Sequence, residues 1–500
     1  MKATRILFAF AAIFSILTVS CTDNGDDAGT TDTTPVDIRL DVVPGTLALN
    51  AYGDAVTLEV STDAESWDYV NATSWLSIQR EDNILTISAR ENEGEDIRKG
   101  SILIVATTGK SRAEKSILVE QASHSESSDV TSLFECPVFE ELMLTNFDID
   151  GDGKIAAEEA AQVTEMVLTY EDEDTREPIT SLKGIEMFVN LVNLDCDLNA
   201  IEKLDLSGLE KLEYVDCCYN VITELNVSGC KSLKWLYAYS NNIDTLYVTG
   251  CDNLMFLQAY NNKLTSLDVS GMPELVYLDV RLNSLKDVNF ANCPKLQIAA
   301  VGTNNMISLD LEGLPSLITL GCYENSITSL DVSKLPELGM LECYANNIAT
   351  LDLSNNAKLT ALTCQRNLLT ELNIEGCEML RKLDCSNNYL DGALDMSDYP
   401  ELYFLHCGGN GFTSIAVNSC TLMTDLECAN TQISTLEVSA LTLLESLVAN
   451  DCQLTTMDCS NNLKLDALYL QGNPLEALYL AEGQSIVDLK LDDHDVISYK

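Results

Sequence analysis

The chain has 500 residues, and its 29 Lys and Arg against 78 Asp and Glu give a formal net charge of −49. Such an acidic surface repels phosphate backbones, so nucleic acid is not expected as a partner, whereas cationic partners and hard ions such as Ca²⁺ are favoured. The hydrophobic fraction of 46% is typical of a folded chain, with length for about three domains. Three His leave little material for histidine-based catalysis.

Residues 1–20 have the pattern of a secretion signal. Lys2 and Arg5 precede the apolar run Ile6–Leu17, whose helical length of about 18 Å is too short for a bilayer core of about 30 Å. A cleaved signal is therefore favoured over a membrane-spanning helix. The stretch Leu17–Cys21 resembles a relaxed bacterial lipobox, and this resemblance implies that Cys21 is lipidated and begins the mature protein. The alternative is an ordinary signal with an incidental Cys.

Residues 21–35 form a short acidic stretch without large apolar side chains, which predicts a disordered tether. Its acids, Asp23, Asp26 and Asp27, resemble the export tag of surface-exposed bacterial lipoproteins. The resemblance implies a lipid-anchored protein on the outer membrane that faces the cell exterior.

Residues 36–122 alternate apolar and polar side chains in short runs such as Val56–Val60 and Ile102–Val105. This period of two, broken by turn residues, predicts a small antiparallel β-sandwich. The stretches Trp75–Ile78, Arg98–Ile102 and Val119–Gln121 resemble a BACON domain. That resemblance implies an N-terminal module of a surface lipoprotein, either carbohydrate-binding or simply a spacer.

Residues 133–188 contain one motif with explicit metal chemistry. The stretch 148–159 fits a twelve-residue EF-hand loop, in which carboxylates alternate and a Gly makes the sharp turn at position six. The predicted Ca²⁺ ligands are Asp148, Asp150, Asp152, the carbonyl of Lys154, and Glu159. A metal-free acidic turn between the predicted helices Glu135–Asn146 and Ala157–Glu165 is the alternative. With a single loop, a structural ion is favoured over a conformational sensor.

Residues 189–500 repeat one unit fourteen times. Its first apolar residue recurs every 21 positions at Leu191, Leu212, Leu233, Leu254, Leu275, Leu296, Leu317, Leu338, Leu359 and Leu380, then at Leu402, Met423, Leu444 and Leu465. One extra residue falls within Tyr389–Ala393, and a fragment follows from Ile486. The unit resembles the 21-residue bacterial leucine-rich repeat, which implies a solenoid with a second strand at its L-D-V segment.

The predicted fold is mainly β: a solenoid of parallel strands, preceded by the small sandwich and a short helical calcium-loop cap. Strands about 4.8 Å apart would make an arc of about 70 Å. Asn occupies the turn in twelve of fourteen units, where its amide can pair buried backbone groups; Thr431 and Cys452 are the exceptions. Val163–Leu168 and Ile179–Phe188 indicate an irregular first repeat behind the cap, and Asp488–Lys500 is expected to close the other end.

The 18 Cys would suggest disulfides in an exported protein, but most fall at fixed places in the repeat. Eight occupy an inward apolar position and exchange there with Ala, Val and Leu: Cys196, Cys217, Cys322, Cys343, Cys364, Cys385, Cys407 and Cys428. Five recur in a turn: Cys230, Cys251, Cys293, Cys377 and Cys420. We interpret them as small core residues rather than a disulfide or metal framework.

In a leucine-rich strand, the residues that flank the inward Leu point onto the concave face. Aromatic residues and one Arg recur at these places and predict an exposed partner-binding patch, bordered by Asp216 and Asp279. The patch comprises Tyr214, Trp235, Tyr237, Tyr239, Phe256, Tyr260, Tyr277, Arg281, Tyr323 and Tyr344. The alternative is an aromatic ladder that stiffens the arc.

No catalytic constellation is evident. The patterns G-x-S-x-G and H-E-x-x-H are absent, and His406, the only His on a repeat strand, shows no nucleophile with an orienting acid around it. Paired acids for glycoside hydrolysis stay open among so many carboxylates. We therefore predict a non-enzymatic surface protein whose concave face binds a protein, with a glycan-binding protein of an uptake system or a passive scaffold as alternatives.

Overall fold

The computed structural model describes residues 38–49, 55–90, 92, 96–122, 129–149, 151, 153–170 and 176–500. The predicted signal, Cys21 and the tether lie outside the described residues, as do Asp150 and Asp152 of the calcium loop. Across these described ranges, no helix is long and apolar enough to cross a membrane.

The N-terminal module is a sandwich of two four-stranded sheets, with strand orders β1-β3-β6-β5 and β2-β8-β7-β4. The strands are β1 Leu40–Val43, β2 Thr46–Leu49, β3 Ala55–Thr62, β4 Ser66–Asn71, β5 Leu76–Glu81, β6 Ile84–Ala89, β7 Arg98–Thr108 and β8 Ser111–Gln121. Buried side chains from both sheets, including Leu58, Ile87 and Ile104, make its core. One pair departs from the predicted antiparallel pattern, because β2 runs parallel to β8. The strands β1 and β2 are consecutive along the chain, but β1 pairs with β3 in one sheet and β2 pairs with β8 in the other.

A short helical segment covers the first turn of the solenoid. It consists of a 3₁₀ turn at Thr131–Leu133, helix α1 at Pro137–Phe147 and helix α2 at Ala157–Ala160. Phe139 and Met143 of α1 are fully buried in the same apolar core as the repeats, which confirms the predicted cap. The second helix is shorter than predicted, because the chain leaves the helix and joins the long sheet through residues 165–167.

The solenoid is built on one parallel sheet of sixteen strands. In chain order these are β9 Glu165–Val167, β10 Asn193–Asp195, β12 Tyr214–Asp216, β14 Trp235–Tyr237, β16 Phe256–Gln258, β18 Tyr277–Asp279, β20 Ile298–Ala300, β21 Thr319–Gly321, β22 Met340–Glu342, β24 Ala361–Thr363, β26 Lys382–Asp384, β28 Phe404–His406, β30 Asp425–Glu427, β31 Ser446–Val448, β33 Ala467–Tyr469 and β35 Asp488–Lys490. The central residue of each strand points into the core, as Leu236 and Leu257 do. The fourteen repeats, the irregular first repeat and the C-terminal fragment are thereby confirmed.

The opposite side of the solenoid carries the second strands predicted at the L-D-V segments. They pair in parallel in smaller sheets: β11 Lys203–Asp205, β13 Glu224–Asn226 and β15 Thr245–Tyr247; β17 Leu267–Asp268 and β19 Val288–Asn289; β23 Thr350–Asp352 and β25 Glu371–Asn373; β27 Asp391–Asp395 and β29 Gly411–Ala416; β32 Thr456–Asp458, β34 Ala477–Leu480 and β36 Ile497–Tyr499. Two more 3₁₀ turns lie at Ile185–Met187 and His494–Val496. The register of β27 and β29 shifts between Gly392 and Ala393, because Thr413 of β29 is left without a pairing partner in β27.

A ladder of turn asparagines joins neighbouring repeats. The Asn220 carboxamide oxygen accepts the N–H of Ile201 at 3.0 Å, and its Nδ2 donates to the carbonyls of Cys196 and Cys217 at 3.0 and 3.2 Å. The ladder is interrupted at Thr431, whose hydroxyl donates to the Cys428 carbonyl at 2.8 Å. The amide thus pairs backbone groups that no strand reaches, as the sequence pattern predicts.

All seventeen cysteines among the described residues are buried and free. Burial raises the pKa of the inward thiols, for example Cys364, so they act as small apolar groups and the interpretation as core residues is confirmed. The turn cysteines do more than fill space. The thiols of Cys230, Cys251 and Cys293 each donate to a backbone carbonyl of the preceding repeat at 3.1–3.2 Å.

Candidate partner-binding surface

The solvent side of the sixteen-stranded sheet carries the predicted binding residues, and we call it the sheet face. It consists of the first and third residue of each strand and the residue two positions further along. Because the central Leu of each strand points inward, Trp235 and Tyr237 on either side of Leu236 point outward. The 21-residue period then places equivalent side chains on neighbouring strands, about 4.8 Å apart.

Two pairs of tyrosines stack along one column of the sheet face. The ring centroids of Tyr239 and Tyr260 lie 4.5 Å apart with an interplanar angle of 6°, and those of Tyr323 and Tyr344 lie 4.6 Å apart at 4°. Rings on parallel strands in register meet face to face, because their backbones are separated by little more than the thickness of a ring. The predicted spacing of about 5 Å is therefore confirmed for these pairs.

Arg281 lies between the two pairs in the same column. Its guanidinium carbon is 6.0 Å from the Tyr260 ring centroid, and its Nη1 lies 3.5 Å from the Tyr323 hydroxyl. Gly302 occupies the next place, and a Cβ there would come within 2.8 Å of the Tyr323 ring. Gly302 thus leaves space for that ring. We call the series Tyr239, Tyr260, Arg281, Tyr323 and Tyr344 the aromatic row.

The guanidinium of Arg281 is held in place from below. Its Nε donates to Asp279 Oδ1 at 2.9 Å and its Nη2 to Oδ2 at 2.6 Å, a bidentate pair with fixed geometry. Asp279 is only 1% exposed. The hydrogen bond to Asp279 raises the pKa of Arg281, against the opposing effect of burial. Asp279 is therefore a support for Arg281 rather than a border of the patch.

A second group of rings lies beside the aromatic row. Phe256 and Tyr277 stack with centroids 6.1 Å apart, and Tyr214 tilts against Tyr237 at 5.6 Å. Trp235 makes its cation–π contact with Lys234, whose Nζ is 5.9 Å from the ring centroid. The prediction that these rings face solvent freely is wrong. All ten predicted residues are half-buried, because ring–ring and ring–cation contacts cover part of each side chain.

Sequence reasoning missed three members of this surface. Tyr219 is 51% exposed and packs its ring edge-on against Tyr239 at 5.4 Å. It lies in a turn position with φ of 50°, so the strand pattern does not point to it. Lys234 and Gly302 contact rings, but a lysine before a strand and a glycine after one carry no distinctive signal.

Carboxylates gather at the N-terminal end of the sheet face. Asp195 lies on β10, Asp197 lies two residues beyond the end of β10, and Asp216 lies on the neighbouring strand β12. Burial, together with the charges of Asp195 and Asp216, raises the pKa of Asp197. Burial and the charge of Asp216 also raise the pKa of the Tyr214 hydroxyl. This end of the surface therefore disfavours further negative charge.

His406 has an acidic partner that the sequence did not indicate. Its Nε2 lies 2.8 Å from Asp425 Oδ1 on the neighbouring strand, and its ring packs on Phe404 with centroids 4.0 Å apart. Burial lowers the pKa of His406, but hydrogen bonding and charge from Asp425 outweigh burial and raise it above the ordinary value. The neighbouring Cys407 points into the core, and burial raises its pKa well above the usual range, so it is unsuited to act as a nucleophile.

Two of the predicted calcium ligands, Asp148 and Glu159, accept backbone N–H groups of their own loop. Asp148 accepts N–H bonds from Gly151 and Gly153 at 2.8 and 2.9 Å, and Glu159 accepts those of Ile149 and Ala156 at 2.7 and 2.8 Å. Both carboxylates are thus drawn into one loop, and hard oxygen donors suit Ca²⁺. The described residues hold no complete cluster of three or more metal-ligating side chains, and two predicted ligands lie outside them.

The fold agrees with known structures. No family model and no curated protein matches the chain. The functional domain of InlJ from Listeria monocytogenes, described as including a cysteine ladder, is 24% identical, with a TM-score of 0.50, over 71% of this chain and 82% of that one. YopM, a leucine-rich effector protein from Yersinia pestis, is 20% identical, with a TM-score of 0.55, over 71% and 93%. This chain therefore has the leucine-rich repeat fold.

Proposed function

We propose that this protein is a non-enzymatic surface lipoprotein that binds a partner protein through its sheet face. The aromatic row is the observation that carries the proposal: five side chains from six successive repeats, with Gly302 in the place between Arg281 and Tyr323, make one surface of stacked rings around a fixed guanidinium. Tyrosine, tryptophan and arginine dominate the residues that contribute most binding energy at protein interfaces.

The packing of the rings favours a protein partner over a glycan. A sugar ring binds an aromatic residue through a free ring face, but Tyr239 and Tyr260 cover each other's faces, as do Tyr323 and Tyr344. Each of these rings therefore loses one face to its partner, and the row presents mainly ring edges and hydroxyl groups. Such edges suit the mixed apolar and polar surface of a protein. Ring stacking also limits the side-chain entropy that would be lost on binding.

The proposed location at the outer membrane rests on the N-terminal sequence. Lipidation of Cys21 would anchor the chain to the outer membrane, and the acidic tether and sandwich would separate the sheet face from the lipid surface. Calcium in the loop at Asp148 and Glu159 would join helices α1 and α2 of the cap. In this proposal the ion has a structural role, and no residue acts as a catalyst.

A paired binding experiment tests the proposed function. The mature protein is probed on protein and glycan arrays, and a protein hit is titrated against Trp235→Ala with Tyr260→Ala. We expect the double variant to weaken binding at least about 30-fold, as for loss of about 2 kcal/mol at an interface centre. Tyr389→Ala is the matched control, because Tyr389 is 66% exposed and lies away from the sheet face.

Two results would contradict the proposal. One is a double variant that retains parental affinity for the protein hit, which would make the rings a stiffening ladder. The other is specific binding to glycans alone. Circular dichroism of the double variant checks that the solenoid is folded, since each lost ring contact costs about 0.5–1.5 kcal/mol.

A further inference from the structure

Next to the aromatic row, three neighbouring strands align a carboxylate, a hydroxyl and a second carboxylate. Glu342 on β22 is in register with Thr363 on β24, and Thr363 is in register with Asp384 on β26. All three flank inward leucines and so belong to the sheet face. The outer two backbones are about 10 Å apart, twice the strand spacing.

The hydroxyl in the middle of this alignment has no partner. Thr363 is only 9% exposed, and its Oγ1 makes no hydrogen bond within the described part of the chain. Gln365, two residues along the same repeat, likewise has a buried Oε1 without a partner. Buried polar atoms are nearly always paired in folded proteins. Both oxygens are closed to solvent in this structure, so a donor from outside the chain would bond them only after Thr363 and Gln365 turn outward.

The two carboxylates retain acceptor capacity. The side-chain carboxylate of Glu342 forms no hydrogen bond or ion pair with any residue that the structure describes, and its Oε2 lies near Gly321 beside the Tyr323 ring. Asp384 uses Oδ1 to accept the N–H and hydroxyl of Ser386 at 3.1 and 2.7 Å. Two basic side chains lie nearby. Lys382 is turned toward the Phe404 ring, with its Nζ 5.0 Å from the centroid. His406 is in register with Asp384, and its Nε2 lies 2.8 Å from Asp425 Oδ1.

We propose that this place is a subsite for an arginine side chain of the partner protein. This inference rests on the proposed function and adds the chemistry of the partner residue. A guanidinium offers five N–H donors in one plane and can bond several acceptors at once, whereas an ammonium acts as a point charge. Glu342 and Asp384 supply the negative charge, and Thr363 and Gln365 supply neutral acceptors. Tyr344, the last ring of the aromatic row, lies beside Gln365 and can contact a cation.

A small probe tests the subsite without knowledge of the partner. Saturation-transfer NMR compares N-acetyl-L-argininamide with its neutral analogue N-acetyl-L-citrullinamide on the mature protein, at about 150 mM NaCl to screen diffuse attraction. We expect the arginine side chain to receive saturation and the citrulline analogue to bind at least about fivefold more weakly, since its urea group carries no charge.

Matched variants then locate the binding. Glu342→Gln and Thr363→Val should each weaken argininamide binding, by about fivefold for the charge change. Glu371→Gln should leave it unchanged, because Glu371 is an exposed carboxylate on β25 in a different sheet. Equal effects of Glu342→Gln and Glu371→Gln would show diffuse attraction to an acidic surface and would overturn the subsite. So would the absence of argininamide binding at about 20 mM, well above the affinity expected for such a group.

The outcome is separable from that of the proposed function. If argininamide fails to bind while Trp235→Ala with Tyr260→Ala still weakens binding of the protein hit at least about 30-fold, the subsite is wrong and the proposed function stands. If argininamide binds through Glu342 while the double variant keeps its partner, the subsite stands and the aromatic row is not the contact surface.

Discussion

Asn346→Ala removes one asparagine of the ladder, and the hydrogen bonds of Asn346 determine how much the free energy of unfolding falls. Asn346 is 6% exposed. Its Oδ1 accepts the N–H of Ile327 at 2.9 Å, and its Nδ2 donates to the carbonyls of Cys322 and Cys343 at 3.0 and 3.1 Å. Ile327 is fully buried, so its N–H has no water to replace the lost acceptor.

The two carbonyls lose less than the N–H. Cys322 O also accepts from Asn325 at 3.1 Å, and Cys343 O also accepts from Asn367 at 2.9 Å. Each carbonyl thus keeps one donor, so its loss is that of an ordinary hydrogen bond, about 0.5–1.5 kcal/mol, whereas an orphaned N–H costs about 1–3 kcal/mol. We expect Asn346→Ala to lower the free energy of unfolding by about 2–6 kcal/mol.

Urea unfolding followed by far-ultraviolet circular dichroism measures this loss against two reference variants. Asn346→Thr should lose less than Asn346→Ala, because Thr431 at the equivalent place donates its hydroxyl to the Cys428 carbonyl at 2.8 Å. Asn347→Ala should change stability by less than about 0.5 kcal/mol, since Asn347 is exposed. If Asn346→Ala costs no more than Asn347→Ala, the ladder is not a source of stability and the reasoning fails.

Four other predictions concern the anchor, the ion, the histidine and the core. Cys21→Ala should release the protein from the membrane fraction, and association that persists at high salt would refute lipidation. Calcium should raise the melting temperature, consistent with about 1–2 kcal/mol at a tenfold to thirtyfold excess over Kd, and Asp148→Ala should abolish the response. The stabilisation from protonated His406 should be present below its unfolded pKa and lost as pH rises through the higher folded pKa, and Asp425→Asn should lower that pKa in an NMR titration. Cys364→Ser should lower stability by about 1–3 kcal/mol in urea, because a fully buried hydroxyl replaces an apolar thiol.

Much of the solenoid could be predicted because a repeated local pattern determines it. Each L-x-x-L-x-C stretch places one strand, and the 21-residue period places the next strand in register, as for Leu236 and Leu257. The sandwich was predicted with less success, since the parallel pairing of β2 with β8 depends on which sheet each short strand joins. The α2 helix was overestimated because the apolar spacing of residues 163–168 also suits a strand.

The surface is harder to predict than the core, because each surface side chain can contact any of several neighbours. The aromatic columns follow from the period, but their mutual burial depends on side-chain rotamers that a sequence does not specify. The partnership of His406 with Asp425 shows the same limit. His406 is in register with Glu427, and the contact with Asp425 runs diagonally to the first residue of the next strand. Register alone therefore points to the wrong acid.

The arrangement of the aromatic row argues that its order is present before any partner binds. Arg281 is fixed by two hydrogen bonds to a buried carboxylate, and each tyrosine of the row is held by a ring or a guanidinium. Side chains that are already ordered lose little entropy on association, where each rotamer-rich side chain otherwise costs about 0.5–1.5 kcal/mol. Loss of the Arg281 support, as in Asp279→Ala, should therefore weaken partner binding even though Asp279 itself is too buried to touch a partner. If Asp279→Ala leaves that affinity unchanged while the fold is retained, pre-ordering of the row has no part in recognition.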